Sequence, residues 1–134
     1  MRVTYTPFYH AKDGEFCALS KAEPGHTEGL LPLFEIGRFT DKMGELKRYR
    51  DETAPKVSYL NWVADSVQTV FPARTVMVDT FAWKIKERLE TGEVPIAYAI
   101  NALLERDQPV IPVVGVDRWD DPDYQFALKS LSSD

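Results

Sequence analysis

Apolar positions along the chain fall into two kinds of pattern. Four short runs, at residues 3–9, 30–36, 75–81 and 109–116, are nearly continuous in apolar side chains and are bounded by turn residues or charges. Runs of that length and make-up predict strands. The stretches LLPLFEI, TVMVDTF and PVIPVVGV do not alternate between apolar and polar, which is the pattern of strands covered on both faces. That predicts a parallel sheet. Pro7, Pro32 and Pro112 stand inside three of the runs, and because proline removes a ladder donor each is expected at a bulge, a strand start or a sheet edge.

Helical spacing fills the intervals. Residues 14–22 place Phe16, Leu19 and Cys17 toward one face and are closed by Pro24-Gly25. Residues 41–70 carry Leu46, Tyr49, Val57, Leu60, Val63, Ala64 and Val67, interrupted by Pro55. The spacing predicts an amphipathic helix over about 56–69 and further helix over 41–53. A short helix is expected within 81–91, and a stronger one over 95–106, where Ile96, Ala99, Ile100, Leu103 and Leu104 share a face and Pro95 suits the first turn. Residues 123–131 begin one more, with Asp120, Asp121 or Asp123 as its cap.

The order is strand then helix, four times over. It predicts an α/β fold of four βα units with a mainly parallel sheet and right-handed crossovers. A complete eight-unit barrel takes roughly 250 residues, so four units in 134 residues make half of a TIM-type barrel or a small open sheet. The length fits a single domain over 1–134, with a polar tail at 129–134 expected to fray.

Composition narrows the function classes. The chain is 44% hydrophobic and 28% charged, enough apolar material for a core. Its net charge of -5 disfavours nucleic acid and anionic membranes as partners. The single Cys17 excludes an internal disulfide and a cysteine-rich zinc site, and is expected to pack in the core instead of serving as a nucleophile. With no run long enough for a membrane span, the expected location is cytoplasmic.

Chemistry is sought at the carboxyl ends of the strands, where loops and helix N-termini converge in parallel α/β folds. His10, Lys12 and Asp13 follow the first run, Glu35 lies late in the second, Asp79 late in the third, and Asp117 and Arg118 follow the fourth. Glu35 and Asp79 stand out, since a carboxylate within an apolar run must be paired, hydrated or neutralised. On neighbouring strands the two could bind a divalent cation such as magnesium or manganese, or divide into acid and base, with Lys12 as the cation for a phosphate. The competing reading is a structural network in which Lys12 or Arg118 pairs with the two acids. Two histidines, His10 and His26, do not make a metal site, and the chain has no G-x-G-x-x-G, P-loop or G-x-S-x-G pattern. Tyr59, Trp62 and Trp83 suit a core or an interface, while Trp119, in the turn VDRWDDPD, is a candidate anchor for a protein partner.

The stretches YTPFYHAKDGEFCAL and LLPLFEI, then PVIPVVGV followed by an acidic turn and DYQFAL, resemble the beta protein family of phages, phage satellites and bacterial genomes. Tyr5, Pro7, Lys12, Gly14, Glu15, Ala18 and Leu19 stand at matching positions, as do Pro32, Leu33 and Glu35, then Asp79, then Ile111, Pro112 and Val113. The resemblance is to the N-terminal half of longer, TIM-barrel-like family chains. It implies no established enzymatic activity. It does imply an antitoxin-like or anti-phage defence role in a mobile-element conflict module, exercised by binding a toxin or defence component. The acidic surface around Arg118, Trp119, Asp120, Asp121 and Asp123 is the expected contact. The alternative is a divalent-metal-dependent hydrolase or lyase on a phosphorylated small molecule, with Lys12, Glu35 and Asp79 as catalytic residues and Glu35 and Asp79 as metal ligands. A homodimer that covers the open sheet edges is a further expectation.

Overall fold

The computed structural model describes residues 7–21, 30–113, 121–122 and 125–126. It holds strands β1 (Phe8–His10), β2 (Leu33–Glu35), β3 (Val76–Asp79) and β4 (Val110–Val113), and helices α1 (Asp13–Ser20), α2 (Asp41–Gly44), α3 (Pro55–Val70) and α4 (Pro95–Leu104). The four strands are all parallel and lie in chain order, β1-β2-β3-β4. The α/β fold with a parallel sheet is therefore as the sequence predicts. The ends of the first and fourth apolar runs, at 3–6 and 114–116, lie outside the described residues, as do the tail and most of the final helix, of which Gln125 and Phe126 are helical.

Chain order in a parallel sheet has a consequence for coverage. When every crossover has the same hand and each strand joins the last, the helices collect on one face. Here α1 packs on α3, α3 on α4, and α4 on β3 and β4. Phe34, Val76 and Val78 point into that layer and are buried, whereas their neighbours Leu33, Glu35, Met77 and Asp79 are only half-buried. On β1 and β4, Phe8 and Ile111 are exposed. The expectation that the strands are covered on both faces is thus corrected. Winding in one direction supplies helices to one side only among the described residues, and the non-alternating runs give the other side apolar residues as well.

The covered face is aromatic. Phe34, at 0% exposure, meets Phe16 of α1 at 5.7 Å and Phe71, just past α3, at 6.0 Å between ring centroids. From α3, Tyr59, Leu60, Val63, Ala64 and Val67 form one buried stripe. α4 is buried through most of its length because Ala97, Ala99 and Ala102 let it approach closely. Arg106 fixes the α3–α4 pair, donating from Nε to Asp65 Oδ1 at 2.7 Å and from Nη1 to the Ala102 carbonyl at 2.7 Å.

The prolines sit where the ladder tolerates them. Pro7 and Pro32 precede their strands, and their carbonyls accept from Leu33 N and Met77 N, at 2.9 and 2.8 Å. Pro112 lies within the edge strand β4. Val76 N donates to Pro109 O at 3.0 Å, so by the alternation of a parallel ladder residues 109, 111 and 113 face β3 and the Pro112 nitrogen faces outward. No bond of the sheet is lost.

Three helical expectations are corrected. Residues 41–53 hold one turn of helix, capped by Thr40 Oγ1 accepting from Met43 N, and then a succession of turns that brings Tyr49 into the core. Residues 81–91 form turns instead of a helix, because their side chains are drawn apart to separate partners, as described below. Cys17 is exposed, not packed in the core; it lies about 100° around α1 from Phe16, off the buried face.

Gln108 closes the base of the sheet. It is fully buried, and its Nε2 donates to the Phe71 carbonyl at 2.8 Å and to the Arg74 carbonyl, pinning the α3–β3 turn to the start of β4. Replacing it with alanine removes the donor from two carbonyls and opens a cavity. Gln108→Ala is expected to destabilise the fold by about 2–4 kcal/mol, measured by urea unfolding, while Gln68→Ala, whose amide bonds Arg106 O from an exposed position, changes it by roughly 0.5 kcal/mol or less.

Candidate functional site

Parallel pairing brings one row of residues together at the carboxyl end of the open face. His10 is the register partner of Glu35, Glu35 of Asp79, and Asp79 of Val113. Behind it runs an apolar row, Phe8, Leu33, Met77 and Ile111, joined in the same way. Neighbouring strands lie about 4.8 Å apart, so the two carboxylates expected to form a site do stand on adjacent strands and the same face.

The members of the polar row differ in what holds them. The Asp79 Oδ1 accepts from Phe81 N at 2.9 Å, so this side chain shapes the turn that leaves β3. His10 is exposed, and its backbone N–H donates to the Glu15 carboxylate. Glu35 is half-buried, and its carboxylate has no hydrogen bond or ion pair with a described residue. Lys12 is exposed at the N-terminus of α1, and among the described residues no ion pair joins it to Glu35 or Asp79. The Lys12 form of the structural-network reading is therefore not what is found. Nor do three His, Cys, Asp or Glu side chains gather as a metal-ligand set among the described residues. Two carboxylates alone would leave a bound magnesium largely to water.

Of the surface expected to meet a partner, Arg118, Trp119, Asp120 and Asp123 lie outside the described residues. Asp121 is buried, and its Oδ2 receives Lys86 Nζ at 3.1 Å.

A second charged cluster is invisible to sequence spacing. Glu87, with a side chain only 7% exposed, accepts from Arg38 Nε at 2.9 Å and from Lys84 N at 3.1 Å, and Lys56 Nζ lies 3.7 Å from its other oxygen. Three residues on, Glu90 accepts from the Lys56 and Val57 amides, each at 3.2 Å, at the start of α3. Trp83 is buried nearby and donates from Nε1 to Ile36 O at 3.2 Å, stacked on Tyr59, whose hydroxyl donates to Gly37 O at 2.9 Å. Burial pushes the Tyr59 phenol above its ordinary range and keeps it a donor. The segment after β3 is thus strapped over the end of β2 and the start of α3. KIKERLE reads as a solvated helix face, and no local signal pairs Arg38 with a glutamate 49 positions away.

A family model described as "Beta protein" matches residues 5–130. The chain belongs to the beta protein family. No curated protein and no solved structure matches it. The match spans both rows of the open face and the Glu87 strap, so these are features of a family chain.

The strap carries a pH dependence. Burial would raise the proton affinity of Glu87, but the Arg38 hydrogen bond, the Lys84 amide and the charges of Arg38 and Lys56 outweigh it and hold the carboxyl below the ordinary glutamate range. Between its folded and unfolded values the unfolded chain binds more protons, so stability rises with pH there. Its contribution is complete above roughly pH 4–5 and is lost as acid titrates the folded carboxyl. Glu87→Gln should flatten the fall of melting temperature on acidification, with the wild type and variant converging at the acid end.

Proposed function

We propose that this beta family chain acts by binding another protein, as the neutralising or regulatory member of a phage or mobile-element conflict module, anti-phage defence included. The observation that supports the binding is the open sheet face, where Phe8 is 52% and Ile111 44% exposed in register with Leu33 and Met77. Apolar side chains lined up across neighbouring strands form a contiguous patch, and such patches mark contact surfaces. The net charge of -5 favours a basic partner and speeds its encounter. The acidic turn at residues 118–123 is a weaker support, since Asp121 already holds Lys86. Affinity capture of the full chain from its native cells is expected to return one basic protein in stoichiometric amount, and co-expression of the two should relieve that protein's toxicity. A chain that captures no stoichiometric protein would overturn the reading.

A second reading rests on Glu35 and Asp79 in register. It is a magnesium- or manganese-dependent hydrolase or lyase acting on a phosphorylated small molecule, with Lys12 meeting the phosphate. Either cation should then raise the melting temperature, by linkage of binding to folding. Glu35→Gln with Asp79→Asn should abolish that rise, and an unchanged response in the double variant removes this site.

A further inference from the structure

Three ionisable side chains stand in one row at the carboxyl end of the sheet: His10 on β1, Glu35 on β2 and Asp79 on β3. Backbone bonds set the row. Ala11 N donates to Glu35 O and Ile36 N to Asp79 O, each at 2.9 Å, so the strands stay aligned where these side chains emerge. The His10 ring is further placed by an edge contact with the Phe8 ring, at 5.3 Å and 84°, and the Asp79 carboxylate by the Phe81 amide. Lys12 lies outside the row. Its amide donates to His10 O at 2.9 Å, where the chain turns away from the sheet into α1. Histidine, not lysine, is therefore the neighbour of Glu35.

This difference changes the ligand. A phosphate would meet two carboxylates and no lysine or arginine in the row, on a chain whose net charge is -5. Hydroxyl groups meet better partners, since an ionised carboxylate accepts and a neutral imidazole both donates and accepts. Two strand spacings give the row a span of about 10 Å, so the hydroxyls around one sugar ring can engage more than one of its side chains. Neither the His10 ring nor the Glu35 carboxylate has a hydrogen-bond partner among the described residues. Phe81, 61% exposed, follows Asp79 by two residues and adds an aromatic surface to these polar groups, the combination that holds small molecules. Ligands of parallel α/β folds sit at this end whether the sheet is open or closed into a barrel. We propose that His10, Glu35, Asp79 and Phe81 form a binding site for a neutral sugar. The proposal rests on the small-molecule reading of Glu35 and Asp79 above, and it needs neither the cation nor the phosphate.

The test is saturation-transfer NMR of the full chain, without added metal, against glucose, galactose, mannose, N-acetylglucosamine, ribose and their phosphate esters, with calorimetric titration of those that bind. At least one neutral sugar is expected to bind, and more tightly than its phosphate ester. Glu35→Gln should weaken it about tenfold, the loss of a hydrogen bond to a charged group, and His10→Ala and Phe81→Ser should each weaken it too. Glutamine matches glutamate in shape and the other two positions are exposed, and far-UV circular dichroism checks that the fold persists. Binding that survives Glu35→Gln and His10→Ala, tighter binding of the phosphate ester, or no binding of a neutral sugar would overturn the proposal. A rise in melting temperature with magnesium or manganese that depends on Glu35 and Asp79, without sugar binding, would reject it and leave the metal reading standing. Absence of both responses rejects the small-molecule reading itself.

Discussion

Four parallel strands in chain order need three return connections, and connections of one hand deliver their helices to one side of the sheet. This constraint decides what is buried. It sends Phe34, Val76 and Val78 into an aromatic layer with Phe16, Tyr59 and Phe71, and it leaves Phe8, Leu33, Met77 and Ile111 on the other face. Each large apolar side chain buried in that layer gains roughly 1.5–3 kcal/mol over exposure. The helix-covered side therefore carries most of the burial among the described residues. The same winding occurs in a closed barrel, where the second face points inward.

Parallel register then arranges the chemistry. A one-residue slip of β2 against β3 would turn Glu35 toward Phe71 and Phe34 toward water, so burial of Phe34 fixes the pairing of Glu35 with Asp79. The acids share a row because an aromatic ring next to one of them must be inside. The polar row at the carboxyl end and the packing of the core are consequences of one alignment.

Much of this was legible in the sequence. The runs around Phe34, Val78 and Val110 announced the strands, the spacing of Leu60, Val63 and Val67 announced α3, and Glu35 and Asp79 stood out as charges within apolar stretches. What escaped was tertiary. The pattern of residues 81–91 suits a helix, yet Trp83, Glu87 and Glu90 each reach a different element, and those bonds outweigh local propensity. Continuous apolar runs also cannot distinguish a strand buried on both faces from one whose second face no helix covers among the described residues.

Glu35 and Glu87 show how two carboxylates in one small fold come to different uses. Glu87 meets Arg38, the Lys84 amide and Lys56, so its charge is compensated within the chain and it ties a turn-rich segment to the core. Glu35 lies in a strand, where its backbone bonds are already made with Ala11 and the neighbouring ladder, and its side chain serves no capping or strapping function among the described residues. A glutamine there would keep the packing and remove the desolvation cost of a charge. Glu35 is thus a side chain that stability alone would not select, set between His10 and Asp79 in the row at the carboxyl end of the sheet.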